Sequence, residues 1–299
     1  MRCLYCRCPR VKTSLLTTDQ WKTILRSLGR LGTLRVKFQG GEPTLRPDLR
    51  ELCAEAKMAG MITATISHGM SLASHPHLLD YLDELVISLD SVRPEVNDYL
   101  RGKGAYQGAV KALDIAQERG LKTYVNMAVC QLNLSDVEGM LEFCQDRGIL
   151  MNAQPIVFGR PYYKPEARAI GLSPEQIRFL HRQLAEWKRQ NRNLLFSRQA
   201  YLKATFWPDL SELTVRSEQK SSCRAGRDYV HVDPDGDVMP CIQHGADFVP
   251  KNIIRDGLEA ALGQAQEHNC GDCWPAYLNE RKLLFRLKPR ALREMIRRN

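Results

Sequence analysis

Cysteine is the residue type whose spacing in this chain most directly indicates chemistry, because most of the ten cysteines fall into two groups. The groups consist of Cys3, Cys6 and Cys8 at the start of the chain, and Cys223, Cys241, Cys270 and Cys273 towards its end. In a reducing compartment, thiols grouped in this way bind metal more often than they form disulfides. We therefore predict two metal sites, although CxxC spacing alone fits zinc, redox or iron–sulfur chemistry.

The other three cysteines, Cys53, Cys130 and Cys144, stand singly within apolar, periodic segments. A free cysteine in such a segment packs as a small hydrophobic residue. We expect these three side chains to be buried and to have a structural role.

Glycine and polar residues at the ends of apolar runs form a second set of candidates. The residues Gly40, Gly41, Glu42 and Pro43 directly follow the apolar run 34–38. Glycines there allow a ligand to approach the backbone closely, although the same four residues also fit a simple tight turn. The further candidates from this pattern are Ser67 and Asp90, which directly follow the apolar runs 62–66 and 85–89.

Alternating strand-like and helix-like segments must position these residues. The predicted strands are 34–38, 62–66, 85–89, 123–129 and 151–158, and the predicted helices are 47–59, 76–81, 109–118 and one starting near 135. Strands that are short, apolar on both faces and separated by helices indicate an α/β fold with a parallel sheet and right-handed crossovers. Ligands of such sheets bind at the carboxyl ends of the strands, where the candidate residues lie.

The pattern changes twice along the chain, which predicts three parts. These are a partial barrel over 1–160, bridging helices over 161–222 and a small unit over 223–299. Two long helices are predicted between 172 and 202, the first with a Ser-Pro start typical of a capped helix. In the last part, a Pro-Asp-Gly turn at 234–236 predicts a β-hairpin.

The N-terminal cysteines resemble the motif of the radical S-adenosylmethionine (SAM) superfamily, Cys-x3-Cys-x-aromatic-Cys. Cys3, Tyr5 and Cys6 match its second cysteine, its aromatic residue and its third cysteine. The first cysteine would lie two residues before Met1, and the five predicted strands are one fewer than in the family's (β/α)6 barrel. We expect that the chain starts inside the motif and, in this form, is inactive or poorly metallated; the alternative is a protein that has lost this ligand.

The resemblance implies that the barrel holds a 4Fe–4S cluster and SAM. Cys3 and Cys6 would bind the cluster, whereas Cys8 lacks the spacing of the motif and is interpreted as a thiol that either lies beside the cluster ligands or faces the substrate. Residues 40–43 match the family's GGEP motif, which receives the SAM amino group. Tyr5 would contact the adenine.

Five further positions are assigned to the SAM pocket by the same resemblance. Arg101 matches an arginine that neutralises the SAM carboxylate, and Ser88 and Asp90 match residues near the ribose and methionine. Asn126 is expected to contact the ribose, because a buried amide needs a hydrogen-bond partner. Ser67 begins a turn in which relatives often have Thr-Asn-Gly, and the histidine that follows it departs from that pattern.

The late cysteines resemble the Twitch form of the SPASM-type extension, which binds one auxiliary 4Fe–4S cluster. Residues 274–299 contain no further cysteine, which argues for one auxiliary cluster rather than two. A closed structural zinc site with four thiolates is the rival interpretation.

The resemblance implies an enzyme that cleaves SAM reductively and abstracts hydrogen from a small-molecule or peptide substrate. A fully ligated auxiliary cluster would relay electrons, which favours a two-electron oxidation such as alcohol to ketone. The alternatives are a peptide-modifying maturase and a non-catalytic iron–sulfur or zinc-binding protein. A flavodoxin- or ferredoxin-type protein is the expected electron donor.

The net charge of +9 permits an anionic substrate, but the positive residues are spread along the chain. Their local excess lies in the segment 281–298, which has helical spacing and is predicted to be a solvated helix face rather than a nucleic-acid site. No apolar run approaches the roughly 20 residues of a membrane helix. A cytoplasmic location is expected by default.

Overall fold

The computed structural model describes residues 3–8, 15–157, 163–215, 223–243, 248–268 and 271–285. These residues pack into two compact units. The first unit takes in the described residues of 1–11, 17–156 and 162–171, and the second takes in the remainder. The division into three parts at residues 160/161 and 222/223 stays a prediction. Cys270 lies outside the described residues.

A five-stranded parallel sheet forms the centre of the first unit, with its strands in sequence order. The strands are β1 (Arg35–Phe38), β2 (Ile62–Ser67), β3 (Glu84–Ser88), β4 (Lys122–Val129) and β5 (Leu150–Pro155). The predicted α/β class and the five predicted strands are confirmed. The last strand ends at Pro155, earlier than expected.

Six α-helices accompany the sheet: α1 (Thr18–Arg30), α2 (Leu49–Met58), α3 (Met70–Ser74), α4 (Pro94–Arg101), α5 (Ala105–Glu118) and α6 (Val137–Asp146). Short 3-10 helices lie at Pro43–Leu45, Pro76–Tyr81 and Leu134–Asp136. Helices α2, α5 and α6 contact strands β2 to β5. On the covered face, Leu85, Ile87, Val125, Met127 and Met151 have no exposed surface.

Helix α1 was not among the predicted elements, although its start is encoded locally. Thr17 accepts a hydrogen bond from the Gln20 backbone N–H, and the Gln20 side chain accepts one from the Thr17 backbone N–H. This capping box satisfies two backbone groups that the first helical turn leaves without partners. The helix then buries Ile24 and Leu25, and Leu25 packs in one apolar cluster with residues of α2.

The opposite face of the sheet carries a polar row across three neighbouring strands, from the end of β3 to the middle of β4 and β5. Ser88 of β3 pairs in register with Asn126 of β4, and Asn126 pairs with Asn152 of β5. Paired residues of parallel strands point to the same face, which side-chain alternation makes the face opposite Ile87 and Met151. This row is a feature of a binding surface rather than of an apolar core.

The second unit combines four helices with short strands. Its elements are α7 (Pro174–Arg189), α8 (Arg198–Thr205), β6 (Thr214–Val215), β7 (His231–Val232), β8 (Asp237–Met239), β9 (Lys251–Asn252), α9 (Leu258–Glu267), β10 (Asp272–Cys273) and α10 (Ala276–Phe285). Strands β7, β8 and β9 form one antiparallel sheet, and β10 pairs with β6 in another.

The prediction of two long helices in 172–202 is correct for α7 and wrong for α8, which has only eight residues. Helix α7 ends before Asn191, which has a left-handed φ of 60° that an α-helix does not accommodate. Ser197 then caps α8 by accepting a hydrogen bond from the Ala200 backbone N–H. The chain between the two caps therefore cannot continue one helix into the other.

The predicted hairpin is confirmed by the antiparallel pairing of β7 with β8. The turn between them contains Gly236, whose φ of 95° is favourable only for glycine. The prediction for the three single cysteines is also confirmed, since Cys53, Cys130 and Cys144 are at most 1% exposed. None of the helices in the described part of the chain combines the length and apolar composition that crossing a membrane requires.

Candidate functional site

The loop of residues 3–8 is held by the rest of the first unit through its backbone. The Leu4 N–H donates to the Leu100 carbonyl at 2.7 Å, at the end of α4. Lys164 places its Nζ 3.2 Å from the carbonyl oxygens of Cys3 and Leu4, and its backbone N–H donates to Tyr5. Sequence reasoning missed Lys164, because nothing close to it in sequence indicates this contact.

Tyr5, Asp90 and Arg101 form a buried hydrogen-bonded triad. The Tyr5 hydroxyl donates to Asp90 Oδ2 at 2.6 Å, while Arg101 Nη1 donates to the same oxygen at 2.9 Å and to the Tyr5 hydroxyl at 2.7 Å. The other Asp90 oxygen accepts from the Ala128 backbone N–H at 3.0 Å. Three predicted pocket residues are thus brought together.

The triad is buried, and its arginine keeps its charge. Asp90 has no exposed surface and Arg101 is 8% exposed, which rules out a surface position for this arginine. Burial alone would lower the pKa of Arg101, but the Asp90 carboxylate and Tyr5 raise it above its ordinary value. Burial also raises the pKa of Tyr5, so the phenol stays protonated. Arg101 Nε is buried and has no hydrogen-bond partner among the described residues.

The first two thiols of the loop differ in their ionisation. Burial raises the pKa of Cys3, although the nearby Arg101 charge partly opposes this effect. The hydrogen bond from Cys8 lowers the pKa of Cys6 to about 6, because the neighbouring thiol donates to the Cys6 thiolate. Thiolates are the form of cysteine that binds metal. Cys8 therefore acts in this structure as a donor to Cys6.

Glu42 is fixed by donors from its own turn and from the end of β2. Its Oε1 accepts from the Thr44 backbone N–H at 3.2 Å and from the Ser67 hydroxyl at 2.8 Å, and its Oε2 accepts from the His68 backbone N–H at 2.9 Å. The first of these bonds caps the 3-10 helix that begins at Pro43. Two predicted residues, Glu42 and Ser67, are therefore in direct contact.

His68, the departure from the family pattern, also faces Glu42. The Met70 backbone N–H donates to His68 Nδ1 at 3.1 Å, which leaves the ring proton on Nε2, 3.4 Å from Glu42 Oε2. Burial lowers the pKa of His68, which favours this neutral form. Gly69 then turns the chain with a φ of +85°, and a Cβ there would lie 2.9 Å from Ala109 Cα in α5.

Gly40 and Gly41 are not required by the protein itself. Neither residue has a positive φ. A Cβ at Gly40 would meet no atom within 4 Å, and one at Gly41 would meet only Cys8 Cβ at 4.0 Å. Backbone strain and internal crowding therefore do not explain the glycine pair.

The amide row on β4 and β5 contains an unsatisfied acceptor. Asn152 Nδ2 donates to Asn126 Oδ1 at 2.9 Å, so Asn126 has a protein partner that sequence reasoning did not foresee. Asn152 is 4% exposed, and its Oδ1 is buried without a partner among the described residues, as is Gln154 Oε1. Buried polar atoms of this kind need a ligand or a water molecule.

The late cysteines converge in the second unit. Cys241 and Cys273 lie in one buried cluster with Ala225 and Leu278, and Cys223 packs against that cluster. Cys223 Sγ is 3.7 Å from the Tyr229 hydroxyl, and Cys241 Sγ accepts from the backbone N–H of Gln243 at 3.5 Å. Burial raises the pKa of Cys273 to about 12. The predicted fourth member, Cys270, lies outside the described residues.

A buried lysine accompanies these thiols. Lys282 is 6% exposed, and its Nζ lies 3.4 Å from Cys273 Sγ and in an ion pair with Asp272. The prediction of a solvated helix face is therefore wrong for Lys282. The reason is that strand β10 places a carboxylate and a thiol beside a helix that looks amphipathic in sequence.

The donor atoms of both sites are cysteine sulfurs, which as thiolates suit iron–sulfur clusters and zinc alike. Among the residues that the structure describes, no three His, Cys, Asp or Glu side chains are arranged to hold a single metal ion. The first site additionally offers a carboxylate (Glu42), a guanidinium (Arg101) and unsatisfied amide oxygens. This combination fits a zwitterionic ligand with amino, carboxylate and hydroxyl groups.

Comparison with known proteins agrees with this geometry. Residues 1–144 match the sequence model of the radical SAM superfamily. The chain is 26% identical over 305 aligned positions to the PqqA peptide cyclase of Xanthomonas campestris pv. campestris (strain B100), covering 92% of this chain and 70% of that protein.

Solved structures share the fold. Streptococcus suis SuiB bound to S-adenosylmethionine superposes with a TM-score of 0.62 at 19% identity, covering 89% of this chain and 62% of SuiB, so this chain spans less than two thirds of that protein. Native anSMEcpe with bound AdoMet and Kp18Cys peptide gives a TM-score of 0.67 at 12% identity, covering 98% of this chain and 94% of that one.

Proposed function

Because this chain belongs to the radical SAM superfamily, we propose that it cleaves SAM reductively and removes a hydrogen atom from a peptide substrate. The observation that carries the proposal is the convergence of three features at the carboxyl ends of one parallel sheet. These are the cysteine loop, the fixed carboxylate of Glu42 and the buried guanidinium of Arg101. Ligands of such sheets bind at this end.

When bound, a reduced 4Fe–4S cluster and SAM together supply a 5′-deoxyadenosyl radical, while the protein orients the reactants and excludes water. Cys3 and Cys6 are the proposed cluster ligands in this chain, and the lowered pKa of Cys6 supports its binding as a thiolate. Cys8 supports Cys6 by hydrogen bonding, and its proposed place on the substrate side of the loop stays a prediction.

The proposed SAM contacts combine two groups without a partner among the described residues, Arg101 Nε and Asn152 Oδ1, with the fixed carboxylate of Glu42. Arg101 Nε would receive the SAM carboxylate, and Glu42 would receive the amino group beside the open backbone of Gly40 and Gly41. The amide row would accept ribose hydroxyls, with Asn126 assisted by Asn152. Tyr5 and Asp90 would then hold Arg101 in place rather than contact the ligand.

A peptide is the substrate class that the relatives support. The curated relative is a peptide cyclase, and the anSMEcpe structure contains a peptide together with AdoMet. The two-electron oxidation of an alcohol stays a prediction, and product analysis separates it from the alternatives. Crosslinking and alcohol oxidation each remove two hydrogen atoms from the substrate, whereas epimerisation leaves its mass unchanged.

The late cysteines are proposed to hold an auxiliary 4Fe–4S cluster, with Cys270 as the fourth ligand. The clustering of Cys223, Cys241 and Cys273 in a buried environment supports this assignment. A structural zinc ion is the alternative, and metal analysis decides between them. Zinc protein is colourless and contains no labile sulfide.

The decisive experiment is anaerobic reconstitution with iron and sulfide, followed by reduction with a low-potential one-electron donor and quantification of 5′-deoxyadenosine. The assay compares the 299-residue chain with an N-terminally extended form that carries a cysteine two residues before Met1, where the motif has its first ligand. Production of 5′-deoxyadenosine that is lost in C6A but kept in C144A supports the proposal. A brown protein that binds SAM and yields none in either form would contradict it and favour a non-catalytic iron–sulfur protein.

A further inference from the structure

We propose that Lys282 raises the reduction potential of the cluster held by the late cysteines, by placing a buried positive charge and a hydrogen-bond donor on the sulfur of Cys273. The inference rests on the proposed auxiliary cluster. It assigns a role to a residue of α10 that carries no recognisable motif and that the sequence pattern places on a solvated face.

The contact itself is direct. Lys282 Nζ is 3.4 Å from Cys273 Sγ, a hydrogen-bond distance for a sulfur acceptor, and both residues are almost fully buried. Tyr229 and the Gln243 backbone, which contact Cys223 and Cys241, are neutral groups. Lys282 therefore gives Cys273 a charge-assisted contact that differs in kind from these two.

Lys282 shares its carboxylate partner with a second lysine, which explains why it also needs the thiolate of Cys273. Asp272 is its carboxylate partner, but Asp272 is also paired with Lys203 at 2.6 Å, so one negative charge serves two lysines. The side chain of Lys203 is 38% exposed and can be screened by water, whereas that of Lys282 is 8% exposed. A buried charge must be paired, and the cysteine ligands supply the missing negative charge.

The consequence for electron transfer follows from charge balance. Reduction adds one electron from the donor to the cluster, and no covalent bond or proton needs to move. The added negative charge is stabilised by a nearby cation and by hydrogen bonds to the cluster sulfurs, two of the factors that set iron–sulfur potentials. Lys282 thus favours the reduced form and makes the auxiliary cluster a better electron acceptor.

The test is a potentiometric titration, followed by EPR, in a C3A/C6A background, so that only the auxiliary cluster responds. We expect K282M to shift the oxidised-to-reduced ratio at fixed potential about tenfold towards the oxidised form, which is 59 mV for a one-electron couple. K203M is the matched control, because it removes a cation from the same carboxylate without touching the thiol. Its ratio should change by no more than about twofold.

Each outcome has a distinct meaning. Equal shifts in K282M and K203M, or no shift in K282M, would overturn the role of the Lys282–Cys273 contact while leaving the auxiliary cluster in place. If the C3A/C6A protein contains no iron or sulfide, the proposed auxiliary cluster itself is wrong.

A second measurement avoids any change at Lys282. The C3A/C6A protein labelled with 15N in its lysine side chains is reduced and studied by pulsed EPR. A nitrogen coupling to the cluster that persists in K203M supports the contact, and its absence overturns it even if K282M does not fold.

Discussion

Each of the two cysteine sites contains one buried cation, and the two cations are used differently. The Arg101 guanidinium donates hydrogen bonds to Asp90 and to Tyr5. The Cys3 thiol contacts the backbone carbonyl of Arg101, at 4.0 Å. Lys282 shares Asp272 with Lys203 and reaches the thiol of Cys273 itself. The arginine organises a pocket, whereas the lysine acts on a sulfur.

The difference follows from the chemistry of the two side chains. A guanidinium has five donors in a planar fork, so Arg101 can satisfy protein partners and keep Nε for a ligand. An ammonium is a compact point charge whose effect is strongest on its nearest atom. A site that must bind an exchangeable anion suits arginine, and one that must adjust a permanent ligand suits lysine.

The sharpest way to break this comparison is to remove one thiol from each site. In the N-terminally extended form, C6A and C241A are each expected to lose about half of the iron and sulfide, since a cluster with a missing ligand is not retained. C144A is the matched control because Cys144 is buried in α6 and belongs to neither group, so the iron content of this variant should not change. Full iron in C241A, or zinc in the unaltered protein, would show that the second site holds no cluster.

Removal of Arg101 should lower the stability of the protein, because its buried partner Asp90 loses its cation. R101M leaves Asp90 buried without its cation, and the free energy of unfolding should fall by about 3–5 kcal/mol. R119M, which breaks an exposed ion pair with Asp80, should give no measurable change. Thermal unfolding measures both, and the double variant D90N/R101M should recover part of the loss because no unpaired charge remains.

A buried histidine in the second unit makes the stability of that unit depend on pH. Burial lowers the pKa of His181 to about 4, and the ring packs edge-on against Trp274, next to Cys273. The unfolded chain binds a proton below about pH 6.5, whereas the folded chain does not until about pH 4. Stability should therefore fall as the pH drops through this window, by up to roughly 3 kcal/mol.

The control for this effect is H181L, since His68 in the first unit also has a lowered pKa and contributes in the same direction. Melting temperatures between pH 7.5 and 5 should fall less steeply in H181L than in the unaltered protein. Parallel curves would show that His181 takes up its proton in the folded state as well.

The smallest expected effects come from the helix caps, one in each unit. T17A removes the capping box of α1 and S173A removes that of α7, in both of which a glutamine completes the box. Each should cost about 1 kcal/mol. Denaturant unfolding checks both values, and a loss in S173A far above that in T17A would mean that Ser173 has a further role.

The fold was largely predictable because its signals are local. Buried parallel strands are apolar on both faces, and the five runs between 34 and 158 stand out against amphipathic helices. The end of α7 and the shortness of α8 were not predictable, because the left-handed turn at Asn191 contains no glycine that would indicate it.

The sites were predictable only where a motif spans few residues. The contact of Glu42 with the end of β2 follows from parallel pairing, since the carboxyl ends of neighbouring strands meet. The pairing of Arg101 with Asp90 could not be predicted, because it depends on the position that α4 takes in the fold. The burial of Lys282 could not be predicted either, because it depends on strand β10. Neither contact can be predicted from local spacing, because a lysine in a helix is expected to be solvated unless its partner is known.

The order of the strands also bears on how the protein is made. In the first unit each strand pairs with the one before it in sequence, so the sheet can grow strand by strand as the chain leaves the ribosome. In the second unit, β6 can pair only after β10 has been synthesised. In the same way, Cys223 and Cys241 can form their cluster only after Cys273 and Lys282 have been synthesised. The parallel sheet can therefore form during synthesis, whereas the late cysteine site can be completed only after Cys273 and Lys282 have been translated.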